Sequence, residues 1–276
     1  MRLKEILKGK IKELEKAPSG FDVVGNIAIV EIKPEIEKYE KEIAKAIIAL
    51  NKNIKTVAKK ISRRYGKFRL QKLKIIFGSR RYETVHTENR VKVKLDIAKC
   101  YFSPRLANER LRIARQVKVG ERVLVMFSGV GIYPLVIAKN SEAKEIVGIE
   151  LNKIAHRYAV ENVSINKLGD KIKLFLGDVA KVVPKLNKFD RLVVPLPFGA
   201  ESYLNTILRA AKNGTIVHYY AITSDPNKVW KTIEDFFNKN KIKSKLIRTI
   251  NLGSYAPGIG KYCFDFILKK IFKKQK

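Results

Sequence analysis

The run Val123-Leu124-Val125-Met126-Phe127-Ser128-Gly129-Val130-Gly131 has the form of a strand followed by a glycine-rich turn into a helix. Missing β-carbons at Gly129 and Gly131 let backbone amides approach a ligand. Nineteen residues after Gly131, Glu150 ends the next strand-like run, where a carboxylate can accept hydrogen bonds from both hydroxyls of a ribose. A third marker, Asp178 in Leu176-Gly177-Asp178-Val179, follows another such run and sits where a carboxylate would meet an adenine amino group. Each marker has a plainer reading: an ordinary tight turn for the glycines, a helix N-cap for Asp178. Together they imply a ribose-bearing cofactor, with Phe127, Leu151 and Val179 counted among its contacts. The loop lacks the third glycine of the dinucleotide pattern and runs into the bulky Ile132-Tyr133-Pro134, which favours S-adenosylmethionine over a dinucleotide.

These residues need a scaffold that places successive strand ends side by side. From Gly120 onward strand and helix patterns alternate: Arg122–Phe127, a helix from Ile132, Glu145–Glu150, a helix from Lys153, Ile172–Leu176, Asp190–Val194, a helix from Ala200, and Thr215–Ala221. That rhythm predicts an α/β fold with a mostly parallel sheet and helices on both faces. After a helix at Asn227–Asn238, the segments Ser244–Ile250 and Tyr262–Leu268 follow each other around Tyr255-Ala256-Pro257-Gly258 with no helix between them, which predicts a terminal antiparallel hairpin. Five βα units closed by a hairpin outline a Rossmann-like S-adenosylmethionine-dependent methyltransferase domain.

Residues 1–99 read differently. A charged, weakly helical stretch at 1–16 gives way at Pro18-Ser19-Gly20 to two short strands around Gly25-Asn26. Pro34 opens a helix whose Ile36, Tyr39, Ile43, Ile47 and Leu50 share one face. Strand-like runs at Leu73–Phe77, Glu83–His86 and Val91–Leu95 complete a small α+β module, with a boundary expected near Lys99 and a catalytic domain over 100–276.

The chain of 276 residues carries 58 Lys+Arg against 26 Asp+Glu, a formal charge of +32. So large an imbalance repels itself within a compact state and points to a polyanionic partner. No acidic residue occurs between Glu42 and Glu83, an interval rich in cations from Lys45 to Arg81. A proteome-wide lysine bias explains the lysines better than it explains this acid-free window, which has the footprint of a phosphate-binding surface. Only Cys100 and Cys263 are present, and His86, His156 and His218 are scattered, so no disulfide framework or zinc site has suitable spacing and no metal is expected. The chain opens on no apolar signal region, and no run approaches the roughly 20 apolar residues that span a bilayer, so a soluble protein is expected; the sparse cysteines fit a reducing cytoplasm, and a monomer is expected.

The segment Asp96-Ile97-Ala98-Lys99-Cys100-Tyr101-Phe102-Ser103-Pro104-Arg105-Leu106-Ala107-Asn108-Glu109-Arg110 closely resembles the entry to the catalytic domain of archaeal and eukaryotic tRNA (guanine37-N1) methyltransferases. The resemblance runs from about residue 22 to the C-terminus. It includes Thr84-Val85-His86-Thr87-Glu88-Asn89, Met126-Phe127-Ser128-Gly129-Val130-Gly131 and Tyr255-Ala256-Pro257. It implies that tRNA is the partner, held at its anticodon arm. It further implies that Glu109 is the general base for the guanine N1 proton, that Arg69 in Gly66-Lys67-Phe68-Arg69 stabilises charge on O6, and that Arg110 contacts the cofactor; the plainer readings are a helix-surface pair for Glu109 and Arg110 and one more phosphate contact for Arg69. Such helpers suit the chemistry, because the N1 lone pair of neutral guanine is engaged in the ring.

Two departures from the family pattern bear on substrate. Val125 stands where many relatives have an acidic residue. In Val194-Pro195-Leu196-Pro197-Phe198, Pro195 replaces the asparagine of the target-base motif, which removes a side-chain hydrogen bond to guanine. This variant resembles the archaeal subfamily that methylates both guanosine N1 and C7 of 4-demethylwyosine in wyosine-derivative biosynthesis, although drift at Pro195 without a change of substrate is the alternative. Many relatives also carry an additional N-terminal tRNA-reading domain, which residues 1–20 are too short to form. Two other functions stay open: an aminocarboxypropyltransferase on the same wyosine precursor, against which Pro104-Arg105-Leu106 speaks, and a non-catalytic RNA-binding protein.

Overall fold

The computed structural model describes residues 3–270 and contains two compact units, Met1–Ala107 and Asn108–Lys276. The division falls after Ala107 rather than near Lys99 because residues 100–106 are bound into the first unit. Arg105 Nε donates to Asp22 Oδ1 at 2.6 Å, and Asn89 Nδ2 donates to the Ala107 carbonyl at 2.8 Å. Residues 1–2, the start of the stretch read as weakly helical, and 271–276, the end of the expected catalytic domain, lie outside the described residues.

In the first unit, α1 (Leu3–Leu7) precedes β1 (Asp22–Val24) and β2 (Ile27–Val30). A 3-10 segment at Pro34–Tyr39 leads into α2 (Glu40–Leu50), which is followed by β3 (Thr56–Lys60) and β4 (Leu73–Gly78). These strands form one sheet in the order β1-β2-β3-β4. The β2–β3 pair is parallel, as a helical crossover permits, and its neighbours are antiparallel. Ile36, Ile43 and Ile47 bury their shared face against Ala28, Val30 and Val57. A hairpin of β5 (Glu83–Glu88) and β6 (Val91–Asp96) is a separate two-stranded sheet. It meets the Gly25-Asn26 turn so closely that a β-carbon at Gly25 would lie 2.2 Å from Thr84 Oγ1. The helix read from Pro34 thus starts as a 3-10 turn, and β3 was not foreseen at all.

The second unit contains α3 (Ala107–Ala114), β7 (Arg122–Met126), α4 (Ile132–Asn140), β8 (Glu145–Glu150), α5 (Lys153–Ile165) and β9 (Ile172–Leu176). It continues with α6 (Val179–Val182), β10 (Phe189–Val194), α7 (Leu204–Ala210), β11 (Ala211–Thr223), α8 (Pro226–Lys239), β12 (Ile242–Ala256) and β13 (Ile259–Lys270). Its seven-stranded sheet has the order β12-β13-β11-β10-β7-β8-β9. Strands β9, β8, β7, β10 and β11 run parallel, and β13 inserts antiparallel between β11 and β12. This is the expected mixed α/β fold with its closing hairpin, whose strands run far beyond the short segments read from sequence. Both faces of β7 are covered, and Val123 to Met126 are fully buried, as a central parallel strand requires. The chain leaves β7 toward β8 and β9, then returns to the other side of β7 with β10. The carboxyl ends of β7 and β10 therefore flank a topological switch point, where open α/β sheets bind ligands. Among the described residues, no helix is long and apolar enough to cross a membrane.

Candidate active site

The loop after β7 is wound tightly: Phe127, Gly129 and Gly131 all have positive φ, at 57°, 58° and 82°. A β-carbon on Gly131 would also lie 3.2 Å from Ala159 Cβ, so glycine there serves both the turn and the close approach of α5. The loop amides face protein acceptors: Ser128 N–H donates to Ile149 O at 2.9 Å, Gly131 N–H to Ser128 O at 3.0 Å, and Gly129 N–H to Glu150 Oε2 at 2.7 Å. Those three amides are therefore not the ligand donors expected of them; what the loop offers is a surface without side chains. The Phe127 ring rests edge-on against Tyr203 at 4.8 Å.

Glu150 ends β8 as expected. Its Oε1 accepts from Asn152 N–H at 2.7 Å, and burial raises its pKa against the pull of these backbone bonds. A carboxylate has about four lone-pair sites, so Glu150 keeps acceptor capacity beyond its bonds from the Gly129, Leu151 and Asn152 amides. Leu151 beside it is exposed, whereas Val179 is buried within the core and offers nothing at the surface. Asp178 is an N-cap, its Oδ1 accepting from Ala180 N–H at 2.8 Å. Ser128 Oγ is buried beneath the loop beside Gly148 of β8, without a hydrogen-bond partner. A ribose-bearing group fits the acceptor carboxylate and the side-chain-free turn beside it.

Glu109 and Arg110 lie in the first turns of α3 and are buried, at 6% and 2% exposure, so they are not a surface pair. The Arg110 guanidinium stands 5.9 Å over the Tyr133 ring. Glu109 is held from two sides. Arg112, one helical turn on, donates from Nε to Oε2 at 2.6 Å and from Nη2 to Oε1 at 2.7 Å. Tyr220 Oη on β11 donates to Oε1 at 2.6 Å and accepts from Tyr133 Oη at 3.0 Å, and Tyr133 lies in the first turn of α4, directly after the glycine loop. Burial pushes the pKa of the Tyr220 phenol well up, which keeps it a donor.

Arg112 also reaches Asp265 on β13, with Nη1 2.6 Å from Oδ2. Asp265 is buried; burial alone would raise its pKa, but hydrogen bonds from His218 and Arg112 hold it well below the usual carboxylate range. His218 Nδ1 lies 2.5 Å from Asp265 Oδ1 and its Nε2 lies 2.8 Å from Arg191 Nη1. A guanidinium can only donate, so Nε2 accepts and Nδ1 carries the proton, giving a neutral imidazole. Burial lowers the His218 pKa in the same sense. Arg191 in turn is bidentate on Glu121 at 2.7 and 3.0 Å. His218, Cys263 and Asp265 have ligand atoms within 4.8 Å of one another, a grouping hidden by their sequence spacing. Arg112, Arg191 and Arg248 already supply the positive charge there.

Pro195 and Pro197 sit half-buried in the loop after β10, across the switch point from Gly131. Arg69 belongs to the first unit, in a turn with φ of 52° closed by the Tyr65–Leu70 bridge, its guanidinium 6.0 Å over the Tyr101 ring. The residues expected to act are thus divided between the units: Arg69 in the first, the others in the second.

A family model described as the TRM5/TYW2 methyltransferase domain matches residues 84–245, and one described as the TYW2 N-terminal domain matches residues 3–81. The chain belongs to the TRM5/TYW2 methyltransferase family. Among TRM5/TYW2 relatives, tRNA (guanine(37)-N(1))-methyltransferase Trm5b of Pyrococcus abyssi is 36% identical over 252 residues, covering 90% of this chain and 74% of that protein. The tRNA(Phe) (4-demethylwyosine(37)-C(7)) aminocarboxypropyltransferase of Pyrococcus horikoshii is 29% identical over 277 residues, covering 99% and 97%. The solved complex of aTrm5 and tRNALeu superposes with a TM-score of 0.86 at 33% identity, covering 97% of this chain and 78% of that one. Within this TRM5/TYW2 member, Arg112, Tyr133, Tyr220, His218 and Asp265 were missed by sequence reasoning. The three-residue spacing of Glu109 and Arg112 on a helix was the available signal for the first; the others are joined only by the fold.

Proposed function

We propose that this chain binds S-adenosylmethionine and methylates the base at position 37 of tRNA, at N1 of guanosine and at C7 of 4-demethylwyosine. The hydrogen-bond chain Glu109–Tyr220–Tyr133 carries this reading, because it couples a buried carboxylate to the helix that opens from the glycine loop. Glu150 would hold the cofactor ribose, Asp178 would meet the adenine amino group through its second oxygen, and Phe127, Leu151 and Arg110 would complete the cofactor contacts. When bound, S-adenosylmethionine supplies an electrophilic methyl group on a sulfonium. Glu109 takes the N1 proton of guanine, and Arg112 and Tyr220 hold its carboxylate in place until it does. Arg69 keeps the role implied by the family resemblance, a cation for guanine O6. Pro195 offers an apolar wall without a hydrogen bond to one guanine edge, which suits the larger tricyclic base.

Aminocarboxypropyl transfer to the same position is the second reading, favoured by the full-length match to the Pyrococcus horikoshii protein. Incubating the protein with S-adenosylmethionine and tRNA bearing either guanosine or 4-demethylwyosine at position 37, then weighing the nucleosides, separates the two. Methylated products from both substrates are expected. An aminocarboxypropyl product, or no product from either tRNA, overturns the proposal.

A further inference from the structure

The loop after β10 and the turn between β12 and β13 bring two aromatic rings together outside the buried network. Phe198 and Tyr255 meet edge to face with centroids 5.5 Å apart, and they are 42% and 48% exposed. Neither is among the side chains of the second unit's core. Backbone bonds fix where they stand: Ile222 N–H donates to Pro197 O at 3.1 Å, tying the loop to the end of β11. Pairing of Thr223 with Gly260 and of Ala256 with Ile259 sets the hairpin turn beside the same strand end. The Lys261 ammonium lies 5.9 Å over the Tyr255 ring. From Lys241 to Lys269 the sequence has one acidic residue, Asp265, and it is buried, so every charged side chain this hairpin turns to solvent is cationic.

Exposed aromatic faces beside a cation, on a hairpin with no acidic side chain at its surface, fit a nucleobase with its phosphate. Any base has a π-face to stack, and the phosphate is drawn to the ammonium. The rings share the carboxyl edge of the sheet with Gly131 and Glu150 but stand open to water, whereas a methyl acceptor must be enclosed. The base they suit is therefore a neighbour of the one that reacts. Extruding a target base from its stack leaves that neighbour without a partner, and an aromatic surface replaces what is lost.

We propose that Phe198 and Tyr255 form a stacking platform for the nucleotide adjoining the modified one, with Lys261 serving its phosphate. This rests on the tRNA reading above.

The test uses the full chain, S-adenosylmethionine and tRNA transcripts with 2-aminopurine at nucleotide 37 or at either neighbour. Wild-type protein should quench the probe at one neighbour. Phe198→Leu and Tyr255→Leu should each abolish that quenching and raise the KM for tRNA about tenfold. Tyr255→Phe should retain both, and the dissociation constant for S-adenosylmethionine and the melting temperature should not move in any variant. Lys261→Gln should lower the salt dependence of binding by about one phosphate contact. Unaltered quenching and KM in both leucine variants, with methyl transfer by the wild type intact, overturns the platform alone. Quenching only at nucleotide 37 overturns the assignment to a neighbour. Failure of the wild type to methylate any tRNA overturns the functional reading itself.

Discussion

Replacing Arg112 by methionine keeps most of the side-chain volume and removes the one guanidinium that bridges Glu109 and Asp265. Five contacts go with it, two to Glu109 at 2.6 and 2.7 Å, two to Asp265 at 2.6 and 3.2 Å, and one to Cys263 Sγ at 3.4 Å. Both carboxylates are buried, and stripping one partner from a buried pair typically costs about 3–5 kcal/mol, mainly because a charge is left uncompensated. The Arg112 side chain is 21% exposed and Asp265 keeps His218 and Arg248, so the lower end, about 3 kcal/mol, is expected. For a unit of this size that lowers Tm by about 6–12 °C. Thermal melts and urea titrations of the full chain measure it directly. Adding Glu109→Gln to Arg112→Met removes one stranded charge and should restore at least about 1 kcal/mol relative to Arg112→Met alone. A loss below about 1 kcal/mol, the value of an exposed pair, would refute the claim that this network is buried and mutually dependent.

Glu109→Gln should reduce methyl transfer by about 10²- to 10⁴-fold while leaving affinity for S-adenosylmethionine and tRNA unchanged, since the amide keeps the side chain's shape while the carboxylate that accepts the proton and pairs with Arg112 is lost; full single-turnover activity would contradict that role. Gly131→Ala forces a side chain into a backbone with φ of 82° and against Ala159, so a loss of about 1–3 kcal/mol in urea titration is expected, and an unchanged midpoint would show that the turn relaxes. The depressed pKa of His218 contributes stability that is present above its unfolded value of about 6.5 and lost as pH falls below it. Tm should therefore decline between about pH 7 and pH 5, and less steeply in His218→Gln. Asp265, whose pKa is held well down, contributes its own loss only in the more acid range where unfolded carboxyls protonate, near pH 4.

The parallel half of the sheet was legible because its strands are continuous apolar runs separated by helix patterns, and Glu150 was legible because it ends one of them. Strand β3 was not, because Thr56-Val57-Ala58-Lys59-Lys60 shows neither alternation nor an apolar run. Its Lys59 is buried all the same, made tolerable by Glu37 and Glu40 from the preceding helical segments. Asp178 shows the limit of a single marker: a carboxylate after a strand caps a helix as readily as it meets a ligand, and here the cap is formed. The loop amides show another limit, since glycine spacing indicates a tight turn but not which acceptors its N–H groups meet. Beyond the Glu109–Arg112 spacing, the network around Asp265 could not be read, because residues 191, 218 and 265 lie on three strands that only the sheet order brings together, and Arg112 reaches them from α3.

That order has a consequence for how the chain comes into being. Asp265 lies on the last strand, yet β13 is an interior strand of the sheet, between β11 and β12. During synthesis from the N-terminus, Arg112, Arg191 and His218 emerge long before the carboxylate that joins them. A sheet assembled early from β7 to β11 would enclose two guanidiniums and an imidazole with no Asp265 between them. The second unit is thus expected to hold off final closure until its hairpin arrives, and a ribosome-stalled chain ending before residue 259 should stay protease-sensitive.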